Sequence, residues 1–154
     1  NTMRRLGVAE RDVEDVSHEL FVLVSRRLDE YDASRPIRPW LFAMARRIAS
    51  DYRRRARHRY ELLSGESDES ARGAEGADDA LLEAEEKNLA RRALLSVPEE
   101  RRAVLILHDF DGTSMQDIAD AMQIPLNTAY SRLRVAREEL IAAARKLERG
   151  RGVP

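Results

Sequence analysis

Between Thr113 and Leu140 the chain reads TSMQDIADAMQIPLNTAYSRLRVAREEL, and its second half sets hydroxyl, amide and guanidinium side chains at helical spacing. Stepping about 100° per residue from Leu126, Asn127, Thr128, Ser131, Arg134, Val135 and Glu138 share one side, with Tyr130 and Arg137 on one flank and Arg132 on the other. Leu126, Ala129, Leu133, Ala136 and Leu140 take the opposite side. Short hydrogen-bonding groups near the helix N-terminus suit base edges, and arginines at the margins suit phosphates. This is the chemistry of a DNA-recognition helix.

The elements that must position it are legible on either side. Thr113 and Ser114 can accept a hydrogen bond from a free N–H at a helix start, with Gln116 or Asp117 completing a capping box. Ile118, Ala119 and Met122 recur at three-to-four spacing, and Pro125 biases Ile124 away from helical dihedrals, so the first helix should end near Met122. A turn from Gln123 to Pro125, with small Ala119 at the helix crossing, completes a helix-turn-helix pattern.

A second constellation lies upstream. Arg11 to Tyr31 reads as a helix capped by Asp12, with Val13, Val16, Leu20, Val24 and Leu28 as its core stripe and Phe21 and Leu23 widening it. Asp15, His18, Glu19 and Arg26 fall off that stripe. Asp32 to Pro39 breaks the pattern, Pro36 and Pro39 enclosing a short loop that bears Ile37 and Arg38, with Arg35 just before it. A helix should follow, with Pro39 in its first position and Trp40 opening it. Leu41, Phe42, Ala45, Ile48, Ala49 and Tyr52 face one way, and Arg46, Arg47, Ser50, Arg53 and Arg54 the other. A basic face beside a tryptophan and an arginine-bearing loop suits nucleic acid, through phosphate contacts and base stacking.

The net charge of −1 conceals a segregation. Residues 1–59 carry 14 arginines against nine acids, residues 60–86 one arginine against ten acids, and residues 87–154 twelve basic residues against nine acids. Two basic modules therefore flank an acidic connector. Rich in Ser, Gly and Ala up to about Asp78, the connector cannot bury a core and is expected to be a flexible linker. Ala, Leu, Arg and Glu dominate while glycine and proline gather at boundaries, which points to an all-α fold.

Other chemistries find little support. The chain has no cysteine, His18, His58 and His108 are far apart, and the glycines form no phosphate loop, so neither catalysis nor a cofactor is expected. The run HDFDG at His108 to Gly112 reads as a helix end, Gly112 terminating a helix from Val104 to Phe110, rather than as a metal site. No apolar run approaches the roughly 20 residues of a membrane span, and no signal-peptide core is present, so a cytoplasmic protein is expected. The competing reading is a stand-alone helix-turn-helix regulator, which would leave the first basic module unexplained.

These motifs together resemble the bacterial extracytoplasmic-function sigma factors. DVEDVSHELF resembles the family's core-binding stretch of region 2, RPIRPWLFAMARRIASDYRRR the remainder of region 2, and LLSVPEERRAVLILHDFDGTSMQDIADAMQIPLNTAYSRLRVARE region 4. The resemblance implies a region 2 domain over 1–59, its first helix present only as the tail NTMRRL, an acidic linker over 60–78, a region 4 domain over 79–148 and a tail over 149–154. It implies core RNA polymerase, promoter DNA and an anti-sigma factor as partners. Asp15, His18 and Glu19 would meet the polymerase. Arg35, Ile37, Arg38, Trp40, Arg46, Arg47, Ser50, Arg53 and Arg54 would capture the minus-10 element as single strand. Asn127, Thr128, Tyr130, Ser131, Arg132, Arg134 and Arg137 would read the minus-35 element.

The sequence departs from the family pattern at named places. His18 stands where glutamine is usual, Ile37 where an aromatic is common and Pro39 where a small residue is usual. Gln123 and Asn127 replace glycines, and Tyr130 and Val135 replace frequent basic residues. Gln tolerates left-handed dihedrals poorly, so the turn is expected to carry about 1 kcal/mol of strain or a different shape.

Overall fold

The computed structural model describes residues 2–63 and 78–151, and all regular structure among them is helical. Seven α-helices occur among the described residues: α1 (Thr2–Arg5), α2 (Val13–Arg27), α3 (Ile37–Leu63), α4 (Asp78–Ser96), α5 (Glu99–Leu105), α6 (Met115–Met122) and α7 (Leu126–Arg151). None is long and apolar enough to cross a membrane. α3 runs through the first four residues of the expected linker and α4 starts at its last, so the rest of that linker, 64–77, lies outside the described residues.

The helix expected from Arg11 to Tyr31 is shorter, with 3-10 turns at Glu10–Asp12 and Leu28–Glu30 flanking α2. Asp12 does not cap it. Its backbone sits near φ −103°, ψ 0° rather than in the extended region that aims a cap side chain at the first turn. Its carboxylate instead accepts a 2.5 Å hydrogen bond from the Tyr52 hydroxyl on α3. Burial, with this bond adding to it, pushes the Tyr52 phenol up. Val16 is buried, and Val13, Leu20 and Leu23 pack on the core. Phe21 and Leu28 do not join them, being 72% and 54% exposed. Phe21 lies about 100° round the helix from Leu20, away from α3, and the 3-10 geometry swings Leu28 off the stripe.

α3 starts at Ile37 rather than at Pro39. Pro39 takes the third position, where a first-turn N–H would have no helical partner in any case, and its ring is buried. Ile37 and Arg38 are consequently helical and exposed. Phe42, Met44, Ala45, Ile48 and Ala49 form the buried face.

In the second half, Pro98 precedes α5, which begins at Glu99 instead of Val104 and ends in a π turn over Ile106–Phe110. Gly112, at φ +66°, closes it, its N–H donating to the His108 carbonyl at 3.1 Å. Of the two candidate caps, Ser114 is the one used. Its hydroxyl accepts from the Asp117 N–H at 3.2 Å and donates to the Asp117 carboxylate at 2.7 Å. Gln123 takes the left-handed conformation, φ 54° and ψ 46°, a cost of about 1 kcal/mol for a residue with a Cβ. Its N–H and that of Ile124 donate back to Asp120 and Ala119, closing α6 as a glycine-type terminus would. Ala129, Leu133 and Ala136 of α7 are buried and Leu140 packs beside them, whereas Leu126, at the helix start, is 37% exposed and outside the core.

The two halves share one buried cluster, which includes Leu6 and Val8, both fully buried. Arg53 of α3 donates to the Leu6 carbonyl, and Arg91 of α4 to that of Val8 at 3.4 Å. Gly7 between them has φ +93°, and a Cβ there would stand 3.0 Å from Arg53 Cδ and 3.3 Å from Leu95 Cδ2. Arg102, buried on α5, donates to the carbonyls of Leu95 and Val97, and desolvation lowers its pKa. Gly7→Ala should therefore cost about 1–3 kcal/mol in urea unfolding through both the dihedral and the contact. A loss below about 0.5 kcal/mol contradicts this packing.

Candidate nucleic-acid interface

α7 packs through its buried stripe against α4, α5 and α6, and the opposite side of its first turns faces outward. Asn127, Tyr130, Ser131, Arg134 and Arg137 are exposed, Thr128 and Arg132 half-buried. The structure thus brings all seven onto one end of one helix. Their arginines differ in what holds them. Arg134 pairs along the helix with Glu138 at 2.7 Å and keeps 67% of its side chain exposed. Arg132 reaches back to Glu100 of α5 at 2.6 Å and is only 23% exposed. Arg137 makes a two-pronged contact with Asp109, at 2.9 and 2.6 Å. Those bonds hold the Asp109 carboxyl down to about 2, with His108 at 2.7 Å assisting and burial opposing, while Arg137 is pushed up in return. Within the HDFDG run, Asp109 is thereby paired with Arg137 and with its neighbour His108.

The upstream constellation gathers around Trp40. Its ring meets Tyr31 at 5.1 Å between centroids and a 47° tilt, and the Tyr31 hydroxyl donates to the Arg35 carbonyl at 2.6 Å. Asp32 closes the turn, accepting from the Ser34 N–H at 2.9 Å and hydroxyl at 2.7 Å, and these bonds lower its pKa. Arg46, Ser50 and Arg53 lie half-buried on one stripe of α3, with Arg47 and Arg54 exposed beside them. Tyr31 was not singled out by sequence, although an aromatic at the mouth of a proline-bounded loop was a usable signal. Glu99, which pairs with Arg53 at 2.5 Å and Arg46 at 3.5 Å, carried no signal beyond an acid in a first helical turn.

Asp15, His18 and Glu19 are exposed on the outward side of α2, in line with Val22 and beside Phe21. Glu19 is not free, since Arg55 of α3 reaches it at 3.0 Å.

This arrangement matches known proteins over both halves. The family description of sigma-70 region 2 matches residues 1–59, and that of sigma-70 region 4 matches residues 87–140. The chain belongs to the extracytoplasmic-function sigma-70 family. This sigma factor is 29% identical over 137 residues to the ECF RNA polymerase sigma-E factor of Escherichia coli K12, covering 84% of this chain and 72% of the relative. It is 26% identical over 149 residues to the ECF RNA polymerase sigma factor SigW of Bacillus subtilis 168, covering 88% and 77%. Among solved structures, CnrH in complex with the cytosolic domain of CnrY aligns at a TM-score of 0.61 and 25% identity, over 91% of this chain and 75% of that one. RpoE in complex with the anti-sigma factor NepR from Bartonella quintana aligns at a TM-score of 0.69 over 94% and 90%, and at 20% identity shows the same fold. α1, α2 and α3 as far as residue 59 fall in the region 2 match, and α6 with α7 as far as residue 140 in the region 4 match. A stand-alone regulator has no place for region 2.

The Asp109–Arg137 pair gives a pH signature. Because the folded pKa is depressed, its contribution to stability is present above the ordinary carboxyl value near 3.8 and is lost as pH falls from there toward 2. Carboxyl carbon NMR should titrate Asp109 near pH 2, and Arg137→Ala should move the midpoint up toward 3.8. A midpoint near 3.8 in the unmodified chain contradicts the pair.

Proposed function

We propose that this sigma factor binds core RNA polymerase and directs it to promoters, region 2 melting and capturing the minus-10 element and region 4 reading the minus-35 element in the major groove. The observation that carries the reading is that one chain presents both a capped helix-turn-helix with an exposed polar recognition end and, on a separate helix, a basic face beside Trp40. Residues 1–59 and 79–148 are the working units, 60–78 the linker and 149–154 a tail. The protein works without a cofactor or a catalytic step of its own, in the cytoplasm with the polymerase.

Each surface has a physical division of labour. On α2, Asp15, His18 and Glu19 would form the polar contact with core polymerase around exposed Val22 and Phe21, an apolar centre with a charged rim. In region 2, Trp40 and Tyr31 supply stacking for unpaired bases, and Arg35, Arg38, Arg46, Arg47, Arg53 and Arg54 with Ser50 the backbone contacts, Ile37 packing at the edge. In region 4, Ser131 and Arg134, exposed in the middle of the recognition end, are assigned to base reading with Asn127, Thr128 and Tyr130. Arg132 and Arg137, each tied to a carboxylate of another element, are assigned to phosphates. An anti-sigma factor is the regulatory partner, supported by solved relatives that were captured with NepR and CnrY.

Selection from a randomised minus-35 library by the holoenzyme tests this division. Ser131→Ala or Arg134→Ala should change the preferred sequence, with discrimination falling by about 1–3 kcal/mol at the affected base pair. Arg132→Ala or Arg137→Ala should weaken all sequences alike and reduce the salt slope by about one. Unchanged preference in both Ser131 and Arg134 variants places base reading elsewhere.

A further inference from the structure

We propose that in the free chain region 4 masks the minus-10 face of region 2, with Glu99 standing in for a promoter phosphate. The proposal rests on the reading that Arg46, Ser50 and Arg53 face the minus-10 strand. These three residues follow one another at spacings of four and three on α3 and so share one stripe. One carboxylate, from the first turn of α5, takes all three: Glu99 lies 2.5 Å from Arg53 Nη2 and 3.5 Å from Arg46 Nη1, and accepts from the Ser50 hydroxyl at 3.5 Å. Two guanidinium groups and a hydroxyl converging on one anion is the donor set that a backbone phosphate would meet. Arg47 and Arg54, on the neighbouring stripe, stay exposed, so the masking is selective.

A second element of region 4 closes over the other half of the same face. A cavity of about 310 Å³ separates the loop residues Tyr31 and Arg35, and Trp40 of α3, from Asp117, Asp120 and Gln123 of the helix-turn-helix. Two more carboxylates therefore line the space into which an unpaired base beside Trp40 would have to move. Strand and clasp compete for the same arginines, so single-stranded DNA binds only the fraction of molecules in which region 4 has moved away. Any partner that holds the two regions apart releases the face. Core polymerase, which must set them at promoter spacing, is such a partner.

The chain has no cysteine, so dyes placed through Ala33→Cys and Ala142→Cys report the separation of the two regions without background. In that labelled full-length chain, Glu99→Gln should lower transfer efficiency and raise affinity for a short single-stranded oligodeoxythymidylate by roughly three- to tenfold. Arg46→Ala cuts the clasp from the other side and should lower transfer efficiency too, and in the Glu99→Gln background it should remove most of the gain in affinity. Initiation by the assembled holoenzyme should not respond to Glu99→Gln, since the clasp is already open there. Unchanged transfer efficiency and unchanged affinity in Glu99→Gln overturn the masking alone. Lower efficiency with no gain in affinity means that the clasp opens onto a face that does not bind single strands, and the minus-10 assignment fails together with the masking.

Discussion

A protein surface that is to receive a polyanion must hold a crowd of guanidinium groups without one. Their mutual repulsion, and the cost of half-burying them, have to be offset by carboxylates from the same chain. Here almost every arginine of interest has such a partner: Arg132 with Glu100, Arg134 with Glu138, Arg137 with Asp109, Arg54 with Asp51, and Arg46 and Arg53 with Glu99. Pairs at this degree of exposure contribute about 0–1 kcal/mol each, so they order the side chains yet can be exchanged for phosphate. The exchange is easiest at Arg134 and Arg54, whose side chains are 67% and 81% exposed, and hardest at Arg53 and Arg132, both 23% exposed. The carboxylates of those two, like that of Arg46, come from the first turn of α5, where region 4 packs on region 2.

The fold supplies these partners by punctuation. Pro98 starts α5 one residue before Glu99, which fixes the carboxylates of Glu99 and Glu100 on the first turn, one toward α3 and the other toward α7. Gly112 and Ser114 end one helix and begin the next within three residues, leaving Asp109 on the side of Arg137. Gly7 lets the segment between α1 and α2 pass beneath Arg53 at a distance no Cβ would allow without displacement. The side chain of Arg53 thus touches a region 2 carbonyl and a region 4 carboxylate at once, and the orientation of the two halves is set around it.

What was legible in the sequence was local. The helix-turn-helix was readable because a hydroxyl cap, a proline and a three-to-four apolar spacing act within a few residues of one another, and Ser114, Met122 and Pro125 mark the boundaries found. The left-handed turn at Gln123 was foreseeable for the same reason. Exposure was less legible. Phe21, Leu28 and Leu126 have the right residue type for a core stripe, but only the positions of α3 and α6 decide which side is covered, and periodicity carries no such information. Asp12 resembled a cap and became the acceptor for Tyr52, forty positions away. Glu99 could not be found at all, because its partners lie on another helix 46 and 53 residues earlier in the chain.

The central claim is that two surfaces with modest grip of their own become a promoter reader only when core polymerase holds them. Its most direct test is transcription initiation by purified core polymerase on a library of genomic promoter fragments, with and without the chain, start sites being mapped at about physiological salt. The account predicts that core alone starts indiscriminately or not at all, and that adding the chain produces defined start sites downstream of a shared pair of sequence elements. Defined, tight occupancy of duplex by the chain without core, accompanied by no new start sites when core is added, would contradict it.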